Sequence, residues 1–170
     1  KISQLIGNTD FQWLSPTETR TQTRVGITGS DLGVPFTHQD RTYVVFGDSF
    51  GGGVTGDRDP LAFTTDTDLE DGLDLTFLAN GSVWRPVTIP GISQGAYEVP
   101  LDGVSLGNRM YVYHSTDHSA NVTMGRSVLA VSDNDGQDFT LLYTVSTNHF
   151  INISISTVNL VDWPGFPESA

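Results

Sequence analysis

The stretch Arg41-Thr42-Tyr43-Val44-Val45 recurs further along the chain as Arg109-Met110-Tyr111-Val112-Tyr113, at an offset of 68. Both copies are short and rich in β-branched and aromatic residues, which favours strands. Two further pairs of segments repeat at offsets of 70 and 68: Gly33-Val34-Pro35-Phe36 with Gly103-Val104-Ser105-Leu106, and Leu61-Ala62-Phe63-Thr64 with Leu129-Ala130-Val131-Ser132. Because self-similarity at a fixed period is the sequence signature of a repeat architecture, the chain predicts two copies of one structural unit.

Each unit is predicted to be a sheet of four antiparallel strands. The apolar segments are short and bounded by Gly, Asn, Asp or Pro, and none keeps a helical period over three turns. We expect irregular structure over Lys1–Thr28 and a polar loop formed by Gly51-Gly52-Gly53 and Thr55–Asp59. The predicted strands are Gly33–His38, Thr42–Gly47, Leu61–Thr65, Leu73–Leu78, Val83–Ile89, Val104–Leu106, Met110–Ser115, Ser127–Ser132, Phe139–Val145 and Phe150–Val158. Such repeated sheets predict an all-β fold, a β-propeller, with a β-sandwich of similar strands as the alternative.

The composition excludes several classes of function. The formal net charge is −12, from 20 acidic and 8 basic residues, which argues against binding to nucleic acid or to anionic lipid. No apolar run is long enough to span a membrane, and the absence of cysteine excludes thiol chemistry. Three N-x-S/T sequons, at Asn80, Asn121 and Asn152, indicate a secreted, extracellular protein.

The segment Ser132–Phe139 (SDNDGQDF) resembles the Asp-box of sialidase-like propellers, S-x-D-x-G-x-x-W. Asn134 stands at the Asp place of that pattern and Phe139 at the Trp place. Asn and Asp side chains bind backbone amides and Gly accepts a positive φ, so the segment predicts a structural hairpin turn without a catalytic role. The alternative is a Ca²⁺ site formed by the three aspartates of the segment. An EF-type loop needs a Glu further on, which this segment lacks, so we favour the turn and expect no cofactor.

Four segments, in order along the chain, carry a resemblance to a known family: Gly29–Phe36 (GSDLGVPF), Tyr43–Phe50 (YVVFGDSF), Leu61–Leu75 (LAFTTDTDLEDGLDL) and Tyr97–Ser115 (YEVPLDGVSLGNRMYVYHS). From about Gly26 onward the chain resembles the propeller family of formerly uncharacterised function that includes bacterial endo-D-arabinanases. That family is similar in architecture to five-bladed furanosidases such as arabinanases and fructosidases. The resemblance implies five blades, an active site at one mouth of the axial funnel, and inward-facing carboxylates on the innermost strands.

The resemblance also sets the expected domain organisation. We predict a single, partial propeller domain over residues 1–170, with an irregular segment at 1–28, blade 1 at 29–80, blade 2 at 97–146 and the start of blade 3 at 150–170. Five units of this period need roughly twice this length. Half a propeller leaves open sheet edges and an uncovered apolar flank. We therefore expect additional polypeptide, or self-association, to complete the propeller.

Candidate catalytic residues follow from the chemistry that the resemblance implies. Glycoside hydrolysis needs one carboxylic acid to protonate the leaving oxygen and a second carboxylate to activate water or attack carbon. Asp31 opens the first innermost strand and is the candidate base or nucleophile, with turn capping as the alternative role. Glu98 and Asp102 occupy the corresponding place in the second blade. Glu98 is the candidate acid, and its alternative role is that of a solvated loop carboxylate.

Four further residues are candidates for binding substrate. Asp48 lines the pocket or orients Asp31, with capping of its loop as the alternative role. Arg58 either contacts sugar or forms a surface pair with Asp59. His38 and His118 either donate to sugar hydroxyls or are satisfied structural residues. The histidines lack the spacing of metal ligands, so no metal site is predicted.

The sequence thus predicts a secreted glycoside hydrolase-like propeller that acts on a furanose polysaccharide such as arabinan. The competing hypothesis is a non-catalytic extracellular protein, built on the same blades, that binds glycan or serves in assembly. The two differ in whether inward carboxylates from at least two blades meet in a fixed geometry.

Overall fold

The computed structural model describes residues 3–68, 70–118 and 125–147. These residues form fifteen strands and one single-turn helix, so the predicted all-β class is confirmed. In chain order the elements are β1 (Thr9–Asp10), β2 (Ser15–Pro16), α1 (Thr21–Arg24), β3 (Ile27–Ser30), β4 (Val34–His38), β5 (Arg41–Val45), β6 (Ser49–Gly51), β7 (Val54–Arg58), β8 (Leu61–Thr64), β9 (Thr76–Phe77), β10 (Ala79–Asn80), β11 (Val83–Trp84), β12 (Pro100–Leu106), β13 (Arg109–Thr116), β14 (Arg126–Ser132) and β15 (Thr140–Thr147).

Two four-stranded antiparallel sheets contain the repeated segments. The first sheet has the strand order β4-β5-β8-β9 and the second sheet the order β12-β13-β14-β15, as predicted from the repeat. Tyr43 lies opposite Phe36 in the first sheet, and Tyr111 lies opposite Val104 in the second. The same offset of 68 residues therefore relates β4 to β12 and β5 to β13. The larger offset predicted for the opening strands is wrong by two positions, because the likeness of Gly33–Phe36 to Gly103–Leu106 does not follow the register of the strands.

The two sheets pack face to face around one apolar core. Met110 and Val112 of the second sheet pack against Tyr43 and Val45 of the first, and all four are fully buried. Burial of each such side chain stabilises the fold by roughly 1.5–3 kcal/mol. The core fixes the two sheets relative to each other, so their strand ends meet at defined places.

The opposite face of the first sheet is covered by a second core. Val44 and Ala62 of this sheet pack there with Ile27 of β3 and with Trp84 of β11. The predicted strand Val83–Ile89 is wrong beyond Trp84, because the chain forms only the short β10–β11 pair and then leaves the ladder. Proline at 86 and at 90 removes backbone donors from this segment.

The predicted polar loop after β5 is instead a hairpin. Strands β6 and β7 pair with each other and with β3 in a three-stranded sheet. Gly51, Gly52 and Gly53 all have positive φ, so the glycines supply the reversal between two strands. The prediction failed because these glycines and the polar residues after them are also typical of a loop. The predicted strand Phe150–Val158 and the start of blade 3 lie outside the described residues.

The segment between β14 and β15 forms the predicted turn. Ser132 Oγ accepts from the N–H of Gly136 at 3.0 Å, and Asn134 Oδ1 accepts from the N–H of Asp138 at 3.0 Å. Phe139 is buried beneath the turn. The side chains of all three aspartates have protein partners: Asp133 pairs with Arg109, Asp135 with His38, and Asp138 with Asn134.

Candidate functional site

The acidic residues singled out in the sequence lie mainly at one end of the two sheets. Asp31 precedes β4, Asp48 follows β5, and Asp59 precedes β8. Because neighbouring strands are antiparallel, the start of β4, the end of β5 and the start of β8 share one end of the first sheet. By the same rule, Glu98 before β12 and His114 near the end of β13 share the corresponding end of the second sheet.

Asp31 is held against the segment that carries Asp48. The N–H of Asp31 donates to the carbonyl of Asp48 at 3.2 Å, and the N–H of Gly47 donates to the carbonyl of Asp31 at 3.0 Å. A Cβ atom on Gly47 would lie 2.6 Å from Asp31 Oδ1 and 2.8 Å from Leu32 Cδ1. Only glycine therefore leaves room for the Asp31 carboxylate, which is exposed in this position.

The second sheet has an equivalent of the Asp31 contact. The N–H of Ser115 donates to the carbonyl of Val99 at 2.9 Å, and the offset of the repeat relates these two residues to Gly47 and Asp31. Glu98 is therefore next to the true counterpart of Asp31, whereas Asp102 is three positions away. The predicted correspondence holds closely for Glu98 and only loosely for Asp102.

A buried hydrogen bond joins the two sheets at this end. His114 Nε2 lies 2.8 Å from Asp59 Oδ2, and the two side chains are 0% and 2% exposed. The N–H of Val87 donates to the carbonyl of Asp59 at 2.8 Å, which fixes the backbone of this residue. The other carboxylate oxygen, Asp59 Oδ1, is buried without a hydrogen-bond partner among the described residues.

Burial raises the pKa of Asp59 above its usual value. The hydrogen bond and charge of His114 lower it in part, and the negative charges of Glu98 and Asp31 raise it further. Glu98 and Asp31 therefore both lie within electrostatic reach of Asp59. Raised carboxyl pKa values of this origin are typical of sites that must hold a proton at neutral pH, although buried structural pairs also show them.

Glu98 is fixed by its own loop and by the β6–β7 hairpin. Its side chain is 1% exposed, and Glu98 Oε2 accepts from the N–H groups of Gly95, at 2.8 Å, and Ala96. Arg58 packs against Gly95, where an added Cβ atom would lie 3.2 Å from Arg58 Cζ. The guanidinium of Arg58 and the carboxylate of Glu98 are thus supported by the same short loop.

The chain matches the family model described as Domain of unknown function (DUF4185) over residues 16–163. The chain belongs to the DUF4185 family. The match spans every site residue described above. No curated protein matches the chain.

The structure of this DUF4185 chain gathers some of the predicted site residues and separates others. Asp31, Asp48, Glu98 and Arg58 lie at the end just described, and His118 follows β13 at the same end of the second sheet. Two predicted residues lie elsewhere. They are Asp102, within β12, and His38, at the far end of β4.

His38 and Asp102 have other surroundings in the DUF4185 chain. His38 Nδ1 lies 2.7 Å from Ser105 Oγ, and His38 Nε2 lies 3.2 Å from Asp135 Oδ1. The buried imidazole therefore joins the two sheets at the end away from Asp31. Asp102 lines a cavity of about 270 Å³ in the crease between β4 and β12.

Sequence reasoning missed the two residues of the buried pair. Asp59 was interpreted only as a partner of Arg58, and His114 was given no role. The sequence does contain a signal for His114. Alternate residues of a strand face the same side, and His114 follows Met110 and Val112, which face the first sheet. No local signal marks Asp59, since its partner lies 55 residues away in the chain.

The described part of the chain contains neither a metal-binding group of side chains nor a membrane-spanning helix. No group of three or more His, Asp or Glu side chains there is placed to hold a metal ion. No helix in the same residues is long and apolar enough to cross a membrane.

We expect Gly47→Ala to displace the Asp31 carboxylate and to lower stability by about 1–3 kcal/mol, because the new methyl group overlaps Asp31 and Leu32. Gly29→Ala is the matched control, since its nearest neighbour is a Phe50 ring atom at 3.8 Å. Urea unfolding and a crystal structure of each variant measure the effect. An unmoved Asp31 in the Gly47 variant would contradict the steric argument.

The raised pKa of Asp59 predicts a pH-dependent stability difference between the wild type and Asp59→Asn. Folded Asp59 holds its proton more tightly than the unfolded chain does. Its contribution is therefore complete below about pH 4 and is lost as the pH rises through the raised pKa. Urea unfolding of both proteins over roughly pH 4 to pH 8 measures the difference. If the stability of the wild type relative to Asp59→Asn increased with pH, the raised pKa of Asp59 would be refuted.

Proposed function

We propose that this chain is part of a secreted β-propeller of the glycoside hydrolase type that acts on a furanose polysaccharide such as arabinan. The observation that carries the proposal is the grouping of Asp31, Asp59 and Glu98 at adjoining ends of two sheets. Carboxyl groups from two structural units, held by separate backbone contacts, provide the paired acid and base that glycoside hydrolysis requires. The resemblance to the endo-D-arabinanase family supports the choice of a furanose substrate.

The proposed roles follow from exposure and anchoring. Asp31 is the exposed carboxylate, so it acts as the base that activates water or as the nucleophile. Glu98 is the acid that protonates the leaving oxygen. Arg58, packed beside the Glu98 loop, and Asp48, joined to Asp31 through the backbone, contact the sugar.

The way in which the sheets pack supports a propeller over a sandwich. Val44 and Ala62 of the first sheet correspond to Val112 and Ala130 of the second under the offset of the repeat. Val112 and Ala130 face the first sheet, whereas Val44 and Ala62 face away from the second sheet. Non-equivalent faces are therefore in contact. Such an interface can repeat by rotation into a ring, whereas a two-fold sandwich would join equivalent faces.

The same packing leaves one face for further protein. Tyr143 on β15 is 51% exposed, and it lies opposite Leu129 on the face of the second sheet that points away from the first. The equivalent face of the first sheet is the one that the second sheet covers. We propose that additional polypeptide or a second copy of the chain packs here and continues the propeller.

The alternative function is a non-catalytic glycan-binding or assembly protein. One observation favours it: the Glu98 carboxylate is 1% exposed and already accepts from two backbone N–H groups. In this alternative, the role of the Glu98 carboxylate is to fix its loop. Binding of glycan without cleavage would then be the function of the exposed Asp31 end.

We expect Asp31→Asn to lower the rate of arabinan hydrolysis by about 10²–10⁴-fold, because the amide cannot act as base or nucleophile. Release of reducing ends from arabinan measures the rate. Asp133→Asn is the control, since Asp133 lies in the turn between β14 and β15 and pairs with Arg109. Equal rates in the wild type and the Asp31 variant would sink the proposed role. Binding of arabinan by an inactive wild type would favour the alternative function.

We expect the outer face of the second sheet to bind a second copy of the chain, or a partner polypeptide that completes the ring. Tyr143→Glu places a charge on that face and should weaken association, whereas Thr76→Glu, at an exposed position of β9, should not. Light scattering measures the mass. A monodisperse single chain with cooperative melting would contradict the five-blade proposal.

A further inference from the structure

The hydrogen bonds of His114 determine where its protons lie. His114 Nδ1 is 2.7 Å from the carbonyl oxygen of Ser115, and a carbonyl oxygen can only accept a hydrogen bond. Nδ1 therefore carries a proton. At the other side of the ring, Nε2 is 2.8 Å from Asp59 Oδ2, a distance that requires a proton between the two atoms.

We propose that Asp59 and His114 hold one shared proton between Oδ2 and Nε2, and that this pair positions the carboxylates of the proposed hydrolase site. With the proton on Oδ2, a neutral carboxylic acid donates to a neutral imidazole. With the proton on Nε2, an imidazolium donates to a carboxylate. In both arrangements the buried pair has no net charge, which is the form that burial tolerates.

The surroundings of the pair favour retention of this proton. The negative charges of Glu98, in the loop before β12, and of Asp31, before β4, both act on Asp59 and raise its pKa. Both groups are acidic, so loss of the shared proton would place a further negative charge beside them. The basic residue nearest in the chain, Arg58, packs against Gly95.

The pair joins the end of the first sheet that carries Asp31 to the end of the second sheet that carries Glu98, without itself taking part in proton transfer. Asp59 Oδ2 and His114 Nε2 are occupied with each other, and both side chains are buried. Asp59 is a positioning residue in this account. The effect of Asp59 on catalysis rests on the proposed function, whereas the shared proton of Asp59 and His114 does not depend on it.

Nuclear magnetic resonance of the full chain with ¹⁵N-labelled histidine tests the shared proton directly. We expect His114 to show protons at both ring nitrogens or a strongly hydrogen-bonded, slowly exchanging proton at Nε2. Asp59→Ala should abolish this signal. A His114 ring with an unprotonated Nδ1, or with an Nε2 that gives the same signal in the Ala variant, would overturn the proposal.

Rescue by a conservative variant tests the positioning role. Asn at position 59 can donate to Nε2 as the protonated acid does, so Asp59→Asn should keep kcat on arabinan within about threefold and leave the pH profile unchanged. Asp59→Ala should lower kcat by about tenfold or more and shift the profile. Equal losses in both variants would overturn the positioning role. A wild type that is inactive on arabinan would refute the proposed function, and the resonance experiment would still decide the shared proton.

Discussion

The close packing of the first sheet on the second determines where the ends of the two sheets meet. Phe36 lies directly against Gly103, where an added Cβ atom would come within 2.4 Å of the ring. This close approach brings β4 and β12 together, and with them the ends of both sheets. Asp59 and His114 then meet across the interface at 2.8 Å, although they belong to different repeats. Loss of the interface would separate the site residues of the first sheet from those of the second.

The chemistry at this end comes from the contrast between exposed and buried acids. Asp31 is exposed at a kink where Leu32 adopts a left-handed φ of 53°, and Gly47 leaves space for its carboxylate. Asp59 and Glu98 are buried, each with a distinct partner: a histidine for the first and backbone amides for the second.

Much of the fold could be predicted from the sequence because the repeat is encoded locally. The constant offset between the two copies and their β-branched runs led to both four-stranded sheets, and SDNDGQDF led to its turn. The hairpin β6–β7 was missed because glycines at a reversal resemble a loop. The Asp59–His114 pair was missed because it exists only after the sheets pack. His38 is a predicted site residue together with Asp31, yet the predicted strand Gly33–His38 itself places it at the far end of β4, where the structure has it.

The proposed function requires a furanose glycan to bind where the ends of the two sheets meet. A crystal structure of the protein with an arabinofuranose oligosaccharide tests this requirement. We expect a sugar ring beside the Asp31 carboxylate, on the same side of the interface as Glu98 and Arg58. An oligosaccharide bound instead near His38 and Asp135, at the opposite end of the sheets, would contradict it.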